Sequence, residues 1–154
     1  MTKRSITHAT FVVERSYPAS PMRVFAAWAD PQIKARWFGA PDESEKGAIE
    51  FDFRVGGREF SSGKGPNGQT YRYDAHYQDI VPGQRIVYTY DMHLDDARLS
   101  VSLATIELRP EGTGTRLIVT EQGAYLDGLD TAAQREAGTN DLMDQLGKAL
   151  EQGE

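Results

Sequence analysis

The stretch Gln69–Gly123, QTYRYDAHYQDIVPGQRIVYTYDMHLDDARLSVSLATIELRPEGTGTRLIVTEQG, decides the fold. Apolar and aromatic residues alternate with polar ones along it, the two-residue period of half-buried strands. Pro82-Gly83, the polar LDDAR loop (94–98) and EGTG (111–114) cut it into four strands. Links this short leave no room for a crossover helix, so the strands must run antiparallel. Upstream, AIEFDFRV (48–55), Gly56-Gly57 and REFSSG (58–63) continue the pattern, which gives an up-and-down meander of about six strands. Asn67-Gly68 is the strongest tight-hairpin signal, because both residues tolerate positive φ. Gly56-Gly57 reads as a turn or bulge; no helix follows to make it a phosphate loop.

Outward from this core, His8–Tyr17 alternates in the same way and predicts a first strand, with Phe11, Val13 and Tyr17 on one face. Ser20-Pro21 then predicts a capped helix with proline at its first position, with Val24, Phe25 and Trp28 on one side. Asp30-Pro31 repeats the signature, so a second helix runs to about Trp37 and ends at Gly39 and Pro41. After the strands, Leu129–Gln152 changes to helical spacing, with Leu142, Leu146, Ala149 and Leu150 on one stripe and Met143 at its border. Thr131 with Gln134 is a capping-box pair, whereas Gly138 and Gly147 each weaken the helix by about 1 kcal/mol relative to alanine. Such a helix depends on packing against the sheet.

Strand, two short helices, six antiparallel strands and one long helix have few packing solutions. The sheet buries its apolar face by curling around the C-terminal helix, an α+β helix-grip architecture. Large aromatics beside charges on the strands prevent complete closure, so a pocket between sheet and helix is expected. The 154 residues fit one domain, with a core of about 8–152.

Composition excludes several functions. There are no cysteines, hence no disulfide, thiolate catalysis or cysteine–zinc site, and three histidines alone could supply imidazole ligands. A net charge of −6 opposes sequence-independent nucleic-acid binding, which needs a basic face. No apolar run approaches membrane-spanning length and MTKRSITHATF lacks a signal-peptide core, so the expected location is the cytoplasm, without membrane insertion. His93 with Asp95-Asp96 reads as a solvated loop rather than a metal cluster, and neither metal nor cofactor is expected.

Three motifs together resemble a known family: Trp28-Ala29-Asp30-Pro31 followed by Arg36-Trp37-Phe38-Gly39; Phe51-Asp52-Phe53-Arg54-Val55-Gly56-Gly57-Arg58; and Tyr77–Pro82 running into Arg85–Tyr90. With Gly114-Thr115-Arg116-Leu117 and the final helix, they are similar to the SRPBCC (START-like, birch-pollen-allergen-like) superfamily, in its activator of heat shock protein 90 ATPase branch. The likeness covers roughly Phe11 to Leu150. It implies a deep pocket for small apolar or amphipathic molecules, on a scaffold shared by lipid carriers, hormone-binding proteins, cyclases and oxygenase subunits, so it does not choose a reaction. One departure is plain: the branch commonly has a tryptophan after the glycine near the start of the last helix, and here Thr139-Asn140 follow Gly138.

The ligand-binding candidates are Trp37, Phe38, Phe51, Phe53, Phe60, Tyr71, Tyr73, Tyr88, Tyr90, Glu121, Leu142 and Leu146. Trp37 and Phe38 either roof the pocket or pack the helix pair on the sheet, and packing carries more weight. The even spacing of Tyr71/Tyr73 and Tyr88/Tyr90 sends each pair to one face, where phenols suit a ligand-orienting wall; the alternative is an outer face. Glu121 shares a face with Leu117 and Val119 and is the best catalytic candidate, a buried acid with a raised pKa. Arg54 and His76 fall out of phase and are read as surface residues. Ligand binding leads the functional readings, ahead of an enzyme using Glu121 and a pocket tyrosine. A partner role with heat shock protein 90 comes third and rests on the family name; a homodimer is the other partner expectation.

Overall fold

The computed structural model describes residues 4–38, 46–65 and 67–152. Their order is β1 (Ile6–Tyr17), α1 (Pro21–Ala29), α2 (Pro31–Lys34), β2 (Lys46–Phe51), β3 (Arg58–Lys64), β4 (Thr70–Val81), β5 (Arg85–Leu94), β6 (Ala97–Glu111), β7 (Gly114–Leu126) and α3 (Ala132–Gln152). All seven strands form one antiparallel sheet in the order β1-β7-β6-β5-β4-β3-β2. The meander is therefore consecutive from β2 to β7, and β1 closes onto β7 from Ile6↔Leu126 to Tyr17↔Thr115. β1 and β2 stand at opposite ends of that order, so the sheet is curved but unclosed. Register shifts between Tyr77 and Asp79 and between Met92 and His93 mark where extra residues bend neighbouring strands.

The helix starts are as their caps require. The Ser20 hydroxyl accepts from the Arg23 amide at 3.2 Å, and the Asp30 carboxylate accepts from the Gln32 amide at 2.9 Å. α2 is a single turn of Pro31–Lys34, shorter than the sequence spacing predicts. Beyond it the chain tightens into i→i−3 bonds, Arg36 to Ile33 and Trp37 to Lys34, and the expected stop at Gly39 and Pro41 lies outside the described residues. The β3–β4 link is also not the two-residue hairpin read from Asn67-Gly68. Gly65 and Gln69 close a longer loop in which Gly68 takes positive φ (+77°) and Asn67 does not.

The concave face follows from the pairing. One row across the sheet reads Phe11–Glu121–Ala104–Tyr88–Tyr77; the next reads Val13–Val119–Ile106–Ile86. Val119, Ile106, Ile86, Leu117 and Leu108 are buried against α1 and α3. α3 contributes Met143, Leu146, Ala149 and Leu150, all nearly inaccessible. Full burial of a side chain such as Leu146 is worth roughly 1.5–3 kcal/mol, which explains how a helix with two internal glycines holds its place. Gly147 has a positive reason to be glycine: a Cβ there would lie 3.2 Å from the Tyr17 ring. That ring is held by its hydroxyl, which donates to the Met143 carbonyl at 2.6 Å.

Candidate functional site: a bipolar aromatic cavity

Between the concave face and α3, at the end away from Leu146 and Leu150, lies a cavity of about 660 Å³. Small residues stand beside it on two elements. The concave positions of β6 are small (Ser100, Ser102, Ala104) opposite Met92, Tyr90 and Tyr88 of β5. On α3, Gly138 and Thr139 line the space. The walls are mainly rings: Phe38 packs edge-on to Tyr73 (centroids 5.2 Å apart), Tyr73 tilts on Tyr90 (5.1 Å), and Tyr90 on Tyr88 (6.0 Å).

Each end of the cavity carries a buried polar cluster. At one end, the Lys34 ammonium of α2 lies 2.7 Å from Glu59 Oε1 of β3, and the Tyr77 hydroxyl donates to the same oxygen at 2.5 Å. The ammonium also faces the rings of Phe38 (4.7 Å), Phe51 (5.3 Å) and Trp28 (5.8 Å), a three-sided cation–π cage. Burial lowers the Lys34 pKa despite the Glu59 carboxylate, and burial beside that carboxylate raises the Tyr77 pKa.

At the other end, the Tyr90 hydroxyl donates to Glu121 Oε2 at 2.8 Å and accepts from Arg135 Nη1 of α3 at 2.9 Å. Arg135 Nη2 reaches Asp130 at 2.7 Å and the Ser100 hydroxyl at 2.8 Å. Glu121 lies 3.8 Å from Arg135, and its side chain is 5% exposed. Burial raises its pKa, outweighing the Tyr90 bond and the Arg135 charge. Burial would lower the Arg135 pKa, but Tyr90, Asp130 and Glu121 together raise it, so the guanidinium stays charged.

Of the sequence candidates, Trp37, Phe38, Phe51, Tyr71, Tyr73, Tyr88, Tyr90, Glu121 and Leu142 line the cavity. Trp37 does both things proposed for it, since its buried indole N–H donates to the Ala27 carbonyl at 3.0 Å while its ring forms part of the wall. Three candidates do not line it. Phe53 lies beyond the end of β2 and packs edge-on to Tyr77 (4.9 Å) and Phe25 (5.7 Å), in the core under α1. Phe60 has the wrong parity: Glu59↔Ala75 pairing turns Glu59 inward and leaves Phe60 beneath the Arg58 guanidinium at 4.8 Å. Leu146 is wholly buried below the cavity, and Met143 rather than Leu146 lines it with Leu142.

Sequence reasoning missed Lys34, Glu59, Asp130 and Arg135. An inward Glu59 was readable only from its register with β4, and Arg135 stands on the polar side of a helix read by its leucines. Arg54 and His76 are both exposed, His76 on the strand phase read from the sequence and Arg54 in the turn that follows β2. Asp95 is a turn residue with φ +53°, its carboxylate accepting from the Thr70 amide at 2.9 Å. Among the described residues no group of His, Cys, Asp and Glu could hold a metal, and no helix is long and apolar enough to cross a membrane.

An unclosed antiparallel sheet gripping a C-terminal helix over an aromatic cavity defines the START-like helix-grip class. The chain belongs to the family described as activator of Hsp90 ATPase homolog 1-like protein, whose model matches residues 18–151. A solved Rhizobium loti protein is 48% identical, with a TM-score of 0.88, over 94% of this chain and 99% of its own. A Rhizobium leguminosarum protein is 41% identical, with a TM-score of 0.93, over 99% of this chain and 100% of its own. A Chromobacterium violaceum protein is 30% identical, with a TM-score of 0.77, over 92% and 96%. No curated protein matches.

Proposed function

We propose that this protein binds a small hydrophobic or amphipathic molecule in the cavity between its sheet and α3. The observation that carries this reading is an aromatic-walled space of about 660 Å³, with Gly138 and Thr139 of α3 among its lining. Its size falls in the range that takes up most of a small ligand's surface, and its few convergent polar groups suit orientation of that ligand. Native mass spectrometry of freshly purified protein should show a co-purifying small mass, or an apolar dye should bind at one site per monomer. Replacing Leu142, which lines the cavity, by tryptophan should block that site in a protein that still folds. Undiminished dye binding by folded Leu142→Trp protein would remove the cavity as the site.

A second reading, acid–base catalysis on the bound molecule, draws on the Arg135–Tyr90–Glu121 relay, where a buried carboxyl and a phenol share a proton donor–acceptor line. Glu121→Gln would then abolish turnover, whereas a carrier would still take up its ligand. A role with heat shock protein 90 rests on the family's name. Co-precipitation of that chaperone by protein free of any co-purifying mass would favour it.

A further inference from the structure

The two ends of the cavity define what the bound molecule must carry. Lys34 is matched by Glu59 at 2.7 Å and Arg135 by Asp130 at 2.7 Å, so each buried cation already has a carboxylate partner. Glu121 is the third buried carboxyl. Arg135 reaches it at 3.8 Å and mainly through the Tyr90 hydroxyl. A ligand carboxylate seated beside Glu121 would add negative charge where no further buried cation lines the cavity among the described residues. Burying a charge without a partner is strongly unfavourable, whereas a neutral acceptor can be satisfied by one donor.

Resting on the binding function proposed above, we infer that the ligand is an uncharged, largely aromatic or polycyclic molecule bearing a carbonyl-type acceptor, which docks on the buried carboxyl of Glu121. Tyr90 occupies Oε2, which leaves Oε1 to meet the ligand, and with both buried cations already paired to other carboxylates a neutral Glu121 would donate from that oxygen. Arg135, anchored by Asp130, Ser100 and Tyr90, holds the hydroxyl that fixes the carboxyl. The groups facing Glu121 are Tyr88 and Tyr90 from β5, Tyr125 from β7, Asp130 before α3 and Arg135 on α3. The upward shift of the Glu121 pKa favours the protonated form. Lys64 and Arg72 line the mouth, and they offer the competing outcome of an anionic head group held there.

Three fluorescent probes with one flat body separate these cases: 1-ethylpyrene, 1-acetylpyrene and 1-pyrenecarboxylate, titrated into the full chain between pH 5 and 9. The ketone should bind about five- to tenfold tighter than the hydrocarbon, the yield of one added hydrogen bond in a dry site. The carboxylate should bind at least about a hundredfold more weakly than the ketone. The ketone's advantage should shrink as pH rises through the Glu121 titration. Glu121→Gln keeps a donor, so it should retain the preference and lose its pH dependence; Glu121→Leu should abolish the preference while the hydrocarbon still binds. Equal affinity for ketone and hydrocarbon, or tighter carboxylate binding, overturns the inference and leaves the binding function standing. Failure of all three to bind removes both.

Discussion

Replacing Lys34 by methionine tests whether the Lys34–Glu59 pair is a balanced buried unit. Both side chains are 7% exposed and their charged atoms are 2.7 Å apart. Lys34→Met leaves the stem volume in place but strands the Glu59 carboxylate with the Tyr77 hydroxyl at 2.5 Å. Removing one partner of a buried ion pair typically costs about 3–5 kcal/mol, because the remaining charge has lost its compensation. Loss of the cation from its three-ring cage adds about 0.5–2 kcal/mol. For a chain of this size, 1 kcal/mol shifts Tm by about 2–4 °C, so the single variant should melt roughly 7–28 °C lower. Glu59→Gln in the same background removes the stranded charge and should recover more than half of that loss. Urea denaturation of the four proteins in the double-mutant cycle, read by far-UV circular dichroism, gives the coupling directly. A Lys34→Met cost below 1 kcal/mol, or additive single and double effects, would refute the account of a desolvated, mutually dependent pair.

Glu121 makes the opposite kind of prediction. Its folded pKa is raised, so the native state holds its proton at pH values where the unfolded chain, titrating near about 4.3, has released it. Stability therefore falls as pH rises from the unfolded value through the folded one, and Glu121→Gln should raise Tm at pH 7 while changing it little near pH 4. The two glycines of α3 should respond differently to alanine. Gly138→Ala meets nothing within 4 Å and should gain about 1 kcal/mol of helix propensity in thermal melts, whereas at Gly147 the new Cβ, 3.2 Å from the anchored Tyr17 ring, should cancel that gain. Burial raises the pKa of Tyr17, Tyr73, Tyr77, Tyr88 and Tyr90. Their contribution is complete below the unfolded value of about 10 and is lost above it, so the phenolate absorbance of these five should appear together with unfolding rather than before it.

The sequence by itself determined the elements and their antiparallel order, because strand period, short turns and proline-after-cap signatures are local properties read along the chain. It also placed Glu121 inside, since Leu117 and Val119 share its phase on a single strand. What it left undecided depends on relations between elements. Phe60 outweighs Glu59 as an apolar residue, yet Glu59 faces inward because the register with β4 puts it opposite Ala75, near Lys34 of α2, a partner 25 residues earlier. Leu142 and Leu146 are equivalent on a helical stripe. Only the docking of α3 on the sheet makes the first a cavity wall and the second core. Arg135 is an ordinary surface arginine until that same docking sets it over Ser100, Tyr90 and Glu121. The compensation of a buried charge is a property of three-dimensional neighbours, and for that reason the polar ends of the cavity emerged from the tertiary structure alone.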